Sequence, residues 1–328
     1  MKRAGKLIES IADLANLEYA FYKAAKGKSR KKDVVHYRMH LNENLLNVRA
    51  QLLSGKVEIG EYHFFTIKDP KERVICAAPF PQRVLHHAIM NVCLPFFEQK
   101  QIFHSYACRK NKGTYAALDK AIEYSRKYKY YLKLDFRKYF ESIDHQCLLL
   151  SLQRAFKDNH LMQIFKQIID SYNFTTKAGI PIGNLSSQYF ANHYLSEADH
   201  FALEILHAKA YIRYMDDVIM WDNSKSNLLA VEKKYREFCS EKLKLTLKPL
   251  IINKITNGLV FLGYKIYSNQ VKLAVRSKKR FIQKYNQYLN NLTKGVWDQK
   301  TFQNHNQSLF AFTMHANTLN LRKKTINL

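Results

Sequence analysis

The 328-residue chain carries 53 Lys and Arg against 27 Asp and Glu, a formal net charge of +26, and 47% of its residues are hydrophobic. The hydrophobic fraction excludes an intrinsically disordered chain, and the low glycine and proline contents exclude a collagen-like or linker-rich one. Self-repulsion among these positive charges favours a polyanionic partner. Nucleic acid is the first candidate, and an anionic membrane surface is the second. The alternative is an ordinary basic protein.

Five widely spaced cysteines form no CxxC pair, which argues against a disulfide framework or a zinc knuckle and favours a reducing compartment. Acidic residues interrupt the N-terminal segment where a signal peptide would need an apolar core. No apolar run approaches the roughly 18 residues of a membrane-spanning helix. We therefore expect a cytoplasmic protein that has no membrane partner.

Apolar periodicity predicts the secondary structure in chain order. Helical spacing predicts helices over residues 5–25, 42–53 (ending at Gly55), 82–100, 114–128, 145–172, 186–207 and 226–242. Runs of β-branched and aromatic residues predict strands over residues 62–67, 73–77, 130–135, 211–215, 218–221 and 260–267, the last with a glycine in its middle. From about residue 275 the chain is predicted to be a basic helical subdomain.

Three carboxylates stand where these strands end or turn. Asp135 ends the strand 130–135, and Asp216 and Asp217 lie at the turn of the hairpin 211–221. Neighbouring strands are about 4.8 Å apart, so the three groups are expected to converge. Phosphoryl transfer between nucleotides can use two divalent ions about 3.5–4 Å apart, held by such carboxylates. Taken singly, each carboxylate also has a purely structural explanation. Asp216 and Asp217 would be a turn pair whose side chains bond to the backbone, and Asp135 would be a helix N-cap.

Several segments carry a family resemblance. Tyr214-Met-Asp-Asp217 resembles the signature of reverse transcriptases, and residues 133–145 resemble the first palm motif of the bacterial enzymes. Residues 71–75 and 103–109 resemble fingers motifs, and residues 261–264 resemble the primer-grip strand. The order and spacing of these segments agree with the family over most of the chain.

The resemblance implies an α+β right-hand polymerase with fingers, a palm of antiparallel sheet with flanking helices, and a helical thumb. The domains it implies are an N-terminal helical extension (1–60), fingers (61–129), palm (130–270, with a fingers insertion around 145–180) and thumb (271–328). The implied activity is RNA-directed DNA polymerisation with template RNA, a primer or cDNA strand and deoxynucleotides.

The resemblance also implies roles for individual residues. It makes Asp135, Asp216 and Asp217 the catalytic carboxylates and, with the backbone carbonyl of Phe136, the ligands of two Mg²⁺ ions, for which Mn²⁺ is a substitute. It assigns nucleotide binding to Lys71, Arg73, Arg109, Phe140, Ile182, Gly183 and Gln188, and the primer grip to Phe261, Leu262 and Gly263.

Some of these assignments have alternatives. Phe140 is either a steric gate against the ribose 2′-hydroxyl or a core aromatic beside Tyr139, and Arg109 either holds triphosphate oxygens or braces the fingers. The proton donor to pyrophosphate is unassigned, because Lys248 is followed by Pro249 and its segment matches the family poorly.

The loop at residues 182–188 resembles one particular group of reverse transcriptases. In the segment 182–188, Ile182 stands where most reverse transcriptases carry Gln, and Gln188 stands where they carry Pro. This pattern is similar to the enzymes of diversity-generating retroelements, which implies misincorporation at template adenines, retrohoming of mutated cDNA into a variable gene, and a small basic helical accessory protein as partner. The alternatives are another bacterial reverse transcriptase, of retron, group II intron-derived or phage-defence type, and a non-catalytic RNA-binding scaffold.

Overall fold

The structure, a computed structural model, describes residues 3–59, 62–68, 72–172 and 174–326. Its helices are α1 (Ile8–Ile11), α2 (Leu14–Ala25), α3 (Lys32–Met39), α4 (Leu41–Ser54), α5 (Phe80–Gln99), α6 (Thr114–Lys127), α7 (Tyr139–Ser142), α8 (His145–Ala155), α9 (Asn159–Asp170), α10 (Leu185–His200), α11 (Lys225–Leu243), α12 (Val275–Thr293), α13 (Gln299–Met314) and α14 (Leu319–Ile326). Its strands are β1 (His63–Ile67), β2 (Arg73–Ala77), β3 (Tyr130–Asp135), β4 (Ala210–Tyr214), β5 (Asp217–Asp222), β6 (Ile251–Lys254), β7 (Leu259–Phe261), β8 (Tyr264–Ile266) and β9 (Val271–Leu273).

The strands form three antiparallel sheets within the described residues. A four-stranded sheet has the order β4-β5-β3-β6, β1 pairs with β2, and β7, β8 and β9 form a third sheet. This mixed architecture of helices and antiparallel sheets agrees with the expected α+β class. The strand 130–135 and the hairpin around Asp216 are confirmed, and so are the two strands β1 and β2.

The four-stranded sheet separates two hydrophobic clusters. Alternate residues of a strand point to opposite faces, so Leu132 and Leu134 of β3 pack into the cluster that includes α8 and α10. Tyr131 joins the cluster that includes α6 and the third sheet. The strands β4, β5 and β3 are therefore largely buried, whereas the edge strand β6 is mostly exposed.

Two predicted helices are interrupted. The segment 5–25 forms α1 and α2 because Asp13 caps α2, accepting hydrogen bonds from the amides of Ala15 and Asn16. The segment 145–172 forms α8 and α9 because Asp158 caps α9 and also accepts the Leu7 amide. The predicted helix 186–207 continues beyond α10 only as a π-helical turn, Phe201–Ile205.

The predicted strand 260–267 is wrong: it is the hairpin β7–β8. Leu262 and Gly263 have φ of 47° and 88°, and two consecutive left-handed residues reverse the chain. The segment after residue 271 is helical from Val275 onward, but its first residues form β9.

The turn between β1 and β2, including Lys71, lies outside the described residues. None of the helices in the described part of the chain combines the length and apolar character needed to cross a membrane.

Candidate active site

The sheet register brings the predicted carboxylates to one end of the four-stranded sheet. Asp135, the last residue of β3, is paired directly with Asp217, the first residue of β5. Tyr214, the last residue of β4, is paired with Asp217 from the other side. Met215 and Asp216 form the connection, and Met215 adopts a left-handed φ of 54°. Two segments more than 80 residues apart in the printed numbering thus meet at one point.

Two lysines lie against these carboxylates. Lys248 Nζ is 2.6 Å from Asp135 Oδ2, and Lys133 Nζ is 3.1 Å from Asp217 Oδ1. The four side chains are between one-fifth and two-fifths exposed, so water and ions reach both pairs. The lysines therefore act as counter-ions to carboxylates that would otherwise repel one another.

Asp216 is partly buried, as Asp135 and Asp217 are. Burial raises the pKa of its carboxyl above the usual range, and the negative charges of Asp217 and Asp135 raise it further, while Arg73 opposes them. Mutual repulsion of this kind is relieved when a cation binds among the carboxylates. The raised pKa of Asp216 is thus a consequence of its burial and of the two carboxylates beside it.

The donor set fits hard divalent cations, because carboxylate oxygens at accessible strand ends are the ligands that Mg²⁺ uses in nucleotidyl-transfer sites. In the described part of the chain no three His, Cys, Asp or Glu side chains are arranged closely enough to hold a metal ion. A cation bound by Asp135 and Asp217 would compete with their ion pairs to Lys248 and Lys133.

The loop before α10 lies against the β1–β2 hairpin. The Ile182 carbonyl accepts the Cys76 amide at 2.7 Å. Gly183 has φ 125°, and a Cβ there would lie 2.9 Å from Ile75 Cγ2 and 3.0 Å from the Cys76 carbonyl oxygen. Only glycine fits this contact. The loop and β2 are therefore in direct contact, and the charge of Arg73 on β2 reaches Asp216, where it lowers the pKa.

Gln188 and Phe140 have neighbours that bear on their predicted roles. The Cys108 thiol donates to Gln188 Oε1 at 3.3 Å. Tyr139 is buried and its hydroxyl donates to the Ala191 carbonyl at 2.5 Å, whereas Phe140 is only half-buried. Tyr139 is thus a core residue, and Phe140 is a partly buried aromatic that packs against the same core. Phe136 follows Asp135 directly, and its side chain is buried.

Arg109 is occupied by structural partners. Its Nε donates to Glu98 at 2.8 Å, and its Nη1 donates to the carbonyls of Ile102 and Ser105 at 2.7 Å each. The side chain is 10% exposed. These contacts favour the bracing alternative over contact with a triphosphate.

The predicted primer-grip residues occupy the tight turn of the β7–β8 hairpin. Phe261 is buried at the end of β7, and a Cβ on Gly263 would lie 2.9 Å from Phe312 Cζ and from Ser277 Oγ. Lys133 Nζ donates to the carbonyl of Val260 and thus connects this hairpin to the carboxylate end of the sheet.

Lys248 is the residue that sequence reasoning left unassigned. Its amide donates to the Asp135 carbonyl at 2.8 Å, and its carbonyl accepts Arg236 Nη2 at 3.0 Å, so its backbone is fixed beside the site. The proline that follows it does not disturb this contact. The sequence signal for a lysine beside the site was Lys248 itself, since it lies in a segment where the resembled family often carries a lysine.

Comparisons with known proteins identify the family of this chain. The model of the reverse transcriptase (RNA-dependent DNA polymerase) family matches residues 67–266, more than half of the chain. The chain belongs to the reverse transcriptase family. The matched range contains the carboxylate site, the β1–β2 hairpin apart from its first strand residues, and the loop before α10.

Individual relatives are distant. Protein YkfC of Escherichia coli (strain K12) is 22% identical, over 57% of this chain and 53% of that protein. Among solved structures, the apo telomerase of Candida tropicalis without its C-terminal domain superposes with a TM-score of 0.50 at 14% identity, over 72% of this chain and 60% of that one. The telomerase of Candida albicans in complex with a fragment of telomeric RNA gives a TM-score of 0.51 at 11% identity, over 73% of this chain and 52% of that one. The chain thus spans between half and two-thirds of these proteins, and the structural likeness is one of fold, that of a right-hand polymerase.

Proposed function

We propose that the protein is an RNA-directed DNA polymerase whose nucleotidyl transfer takes place at the Asp135–Asp217 end of the four-stranded sheet. The observation that carries the proposal is the direct pairing of these two residues, with Asp216 in the intervening turn. Two Mg²⁺ ions bound there would activate the primer hydroxyl and stabilise the leaving pyrophosphate. Asp135, Asp216, Asp217 and the Phe136 carbonyl would hold them, with Mn²⁺ as a substitute.

The remaining residues bind the incoming nucleotide and orient it for transfer. Arg73 is exposed on β2 on the side of Asp216, where its guanidinium suits triphosphate oxygens. Ile182 and Gly183 contact the nascent pair, and Phe140 excludes the ribose 2′-hydroxyl. Lys248, released from Asp135 when cations bind, is close enough to hold or protonate pyrophosphate. We also propose nucleotide binding for Lys71 and Gln188, and a primer-gripping role for the β7–β8 turn. For Arg109 we propose the bracing role.

A basic pocket beside the loop before α10 suits the phosphates of a bound nucleic-acid strand. Its volume is about 490 Å³, and it adjoins Gly183. Its cationic lining residues are Lys23, Lys26, Lys28, Lys31 and Arg83. No carboxylate of the described residues lines it. Burial lowers the pKa of Lys28, and the nearby charges of Arg83 and Lys31 lower it further. Phosphate groups would relieve that repulsion.

Primer extension on an RNA template with Mg²⁺ tests the polymerase assignment. We expect extension by the natural chain and a loss of about 10³-fold or more in Asp216→Asn, because removing a carboxylate removes stabilisation worth several kcal/mol. Thermal unfolding of both proteins controls for folding. Equal extension by both would refute the site, and no extension by either would favour the RNA-binding scaffold.

For the subtype, we propose an error-prone enzyme of a diversity-generating retroelement, acting in the cytoplasm with a small basic helical accessory protein. Ile182 supports this, since its side chain offers no hydrogen bond to hold a base pair in register, and the missing bond of about 1–1.5 kcal/mol is roughly tenfold in selection. The five unpaired cysteines suit a reducing compartment.

Sequencing of cDNA products separates the subtypes. We expect errors concentrated at template adenines and a roughly tenfold lower error rate in Ile182→Gln. Errors spread evenly over the four template bases would instead favour a retron, intron-derived or phage-defence enzyme, and would leave the polymerase assignment intact.

A further inference from the structure

A fully buried ion pair lies directly beneath the carboxylate turn. Arg213 of β4 and Asp199 of α10 are both 0% exposed. Arg213 Nε donates to both carboxylate oxygens at 2.8 and 2.9 Å, and Nη2 donates to Oδ2 at 2.6 Å. The Tyr211 hydroxyl donates to the same carboxylate at 2.6 Å. Burial of two charges is costly, and such a pair is weak evidence for stability. Its position therefore calls for a different explanation.

The guanidinium of Arg213 connects three parts of the chain. Nη1 donates to Asn192 Oδ1 on α10 at 2.9 Å, and Nη2 donates to Gln101 Oε1, just after α5, at 3.1 Å. Nη1 also donates to the Met215 carbonyl at 3.1 Å. The planar fork of arginine can serve several acceptors in fixed directions, whereas lysine presents one nitrogen. Asp199 therefore orients the Arg213 guanidinium, and the guanidinium binds the carbonyl of Met215 in the turn.

The carbonyl of Met215 belongs to the peptide group that leads into Asp216. Met215 has a left-handed φ of 54°, which is disfavoured for a residue with a side chain. A hydrogen bond to its carbonyl fixes the plane of that peptide and with it the direction of the Asp216 side chain. Without this bond the turn would be free to relax toward a more favourable backbone conformation.

We infer that Arg213, oriented by Asp199, is a positioning residue that sets the Met215–Asp216 peptide and thereby aims Asp216 at the bound divalent cations. This inference rests on the proposed function, because it assumes that Asp216 is a cation ligand. It assigns the buried pair to the geometry of the site and not to the stability of the sheet.

The test uses Arg213→Lys in the full chain, since lysine keeps the charge but cannot serve Asp199 and the Met215 carbonyl together. We expect kcat for primer extension to fall about tenfold or more, with KM for the primer–template within about twofold of the natural value. Mn²⁺ binding, followed by electron paramagnetic resonance without any substrate, is expected to weaken about tenfold or more, as for other residues that orient metal ligands.

Because a buried arginine variant can fail to fold, a charge-free pair, Asp199→Asn with Arg213→Gln, is measured as well. Replacing both partners leaves no unpaired buried charge, yet the shorter glutamine cannot span the same acceptors. We expect this double variant to unfold cooperatively and to show the same weakened Mn²⁺ binding.

Two controls isolate the effect. Arg154→Lys alters an exposed ion pair, with Glu197 of α10 at 2.8 Å. Tyr194→Phe removes a buried hydrogen bond from α10 to the Leu243 carbonyl, away from the turn. Both are expected to bind Mn²⁺ as the natural chain does, even where Tyr194→Phe is less stable. Natural Mn²⁺ affinity in the charge-free pair, or equally weakened affinity in Tyr194→Phe, would overturn the inference. Absence of extension by the natural chain would instead refute the proposed function, and the Mn²⁺ titration would still test Arg213.

Discussion

Replacement of Lys248 by glutamine tests the role of the lysine that lies on Asp135. The Lys248 backbone is held independently of its side chain, by the Asp135 carbonyl and by Arg236. The two side chains of the ion pair are 41% and 31% exposed, and a pair at that exposure is worth at most about 1 kcal/mol. We therefore expect the free energy of unfolding of Lys248→Gln to change by less than about 1 kcal/mol.

The effect on catalysis should be much larger. A positioned general acid contributes about 10²–10⁴-fold, so the single-turnover rate of nucleotide addition at saturating Mg²⁺ should fall by at least about 10²-fold. Lys248→Arg separates charge from proton donation, because arginine keeps the positive charge but does not give up its proton. If Lys248 is the acid, the arginine variant remains slow. If it only neutralises pyrophosphate, the arginine variant recovers most of the rate.

The matched control is Lys133→Gln, which removes the other lysine of the site, 3.1 Å from Asp217. Its rate at saturating Mg²⁺ should be within about tenfold of the natural rate, because we give this lysine only a counter-ion role. The assay is rapid-quench primer extension on an RNA template. Equal losses in Lys133→Gln and Lys248→Gln, or a natural rate in Lys248→Gln, would refute the reasoning.

Three further predictions concern parts of the chain around the site. Arg109→Lys should lower the melting temperature while leaving KM for deoxynucleotides unchanged, because its donors serve Glu98 and two carbonyls; a raised KM without a thermal shift would restore the nucleotide-binding assignment. Gly263→Ala should cost about 2 kcal/mol in urea unfolding, since φ is 88° and the new methyl would lie 2.9 Å from Phe312; an unchanged midpoint would contradict this. Burial lowers the pKa of His86 to about 4. The unfolded chain, with the usual value near 6.5, then binds more protons between pH 6.5 and 4, so stability should fall by up to about 3 kcal/mol as the pH drops through that window. The slope should flatten in His86→Gln, and an identical slope would exclude His86 as the cause.

The elements around the site could be read from the sequence because local patterns determine them. A short run of aromatic and apolar residues predicted the strand ending at Asp135, and two short β-rich runs around Asp216 predicted the hairpin. Gly55 ends α4 in the left-handed conformation that a glycine allows. The spacing of two strands in any sheet then made convergence of the carboxylates an expectation.

Other local predictions were wrong where a distant residue decides the outcome. The helix predicted over 145–172 breaks because Asp158 caps α9 and accepts the Leu7 amide from the N-terminus of the chain. The segment 260–267 has the composition of one strand, but it turns at Leu262 and Gly263, where the hairpin packs against Phe312 of α13. Apolar periodicity does not report contacts of this kind.

The sequence by itself determined the strand ending at Asp135, the hairpin around Asp216 and the identity of the acidic residues, because each depends on neighbours along the chain. Only the tertiary structure decided which cations face them: Lys248 on Asp135, Lys133 on Asp217, and Arg213 on the turn. Those partners are fixed by strand register and by burial among helices, and a side chain's charge gives no indication of which distant group it will meet.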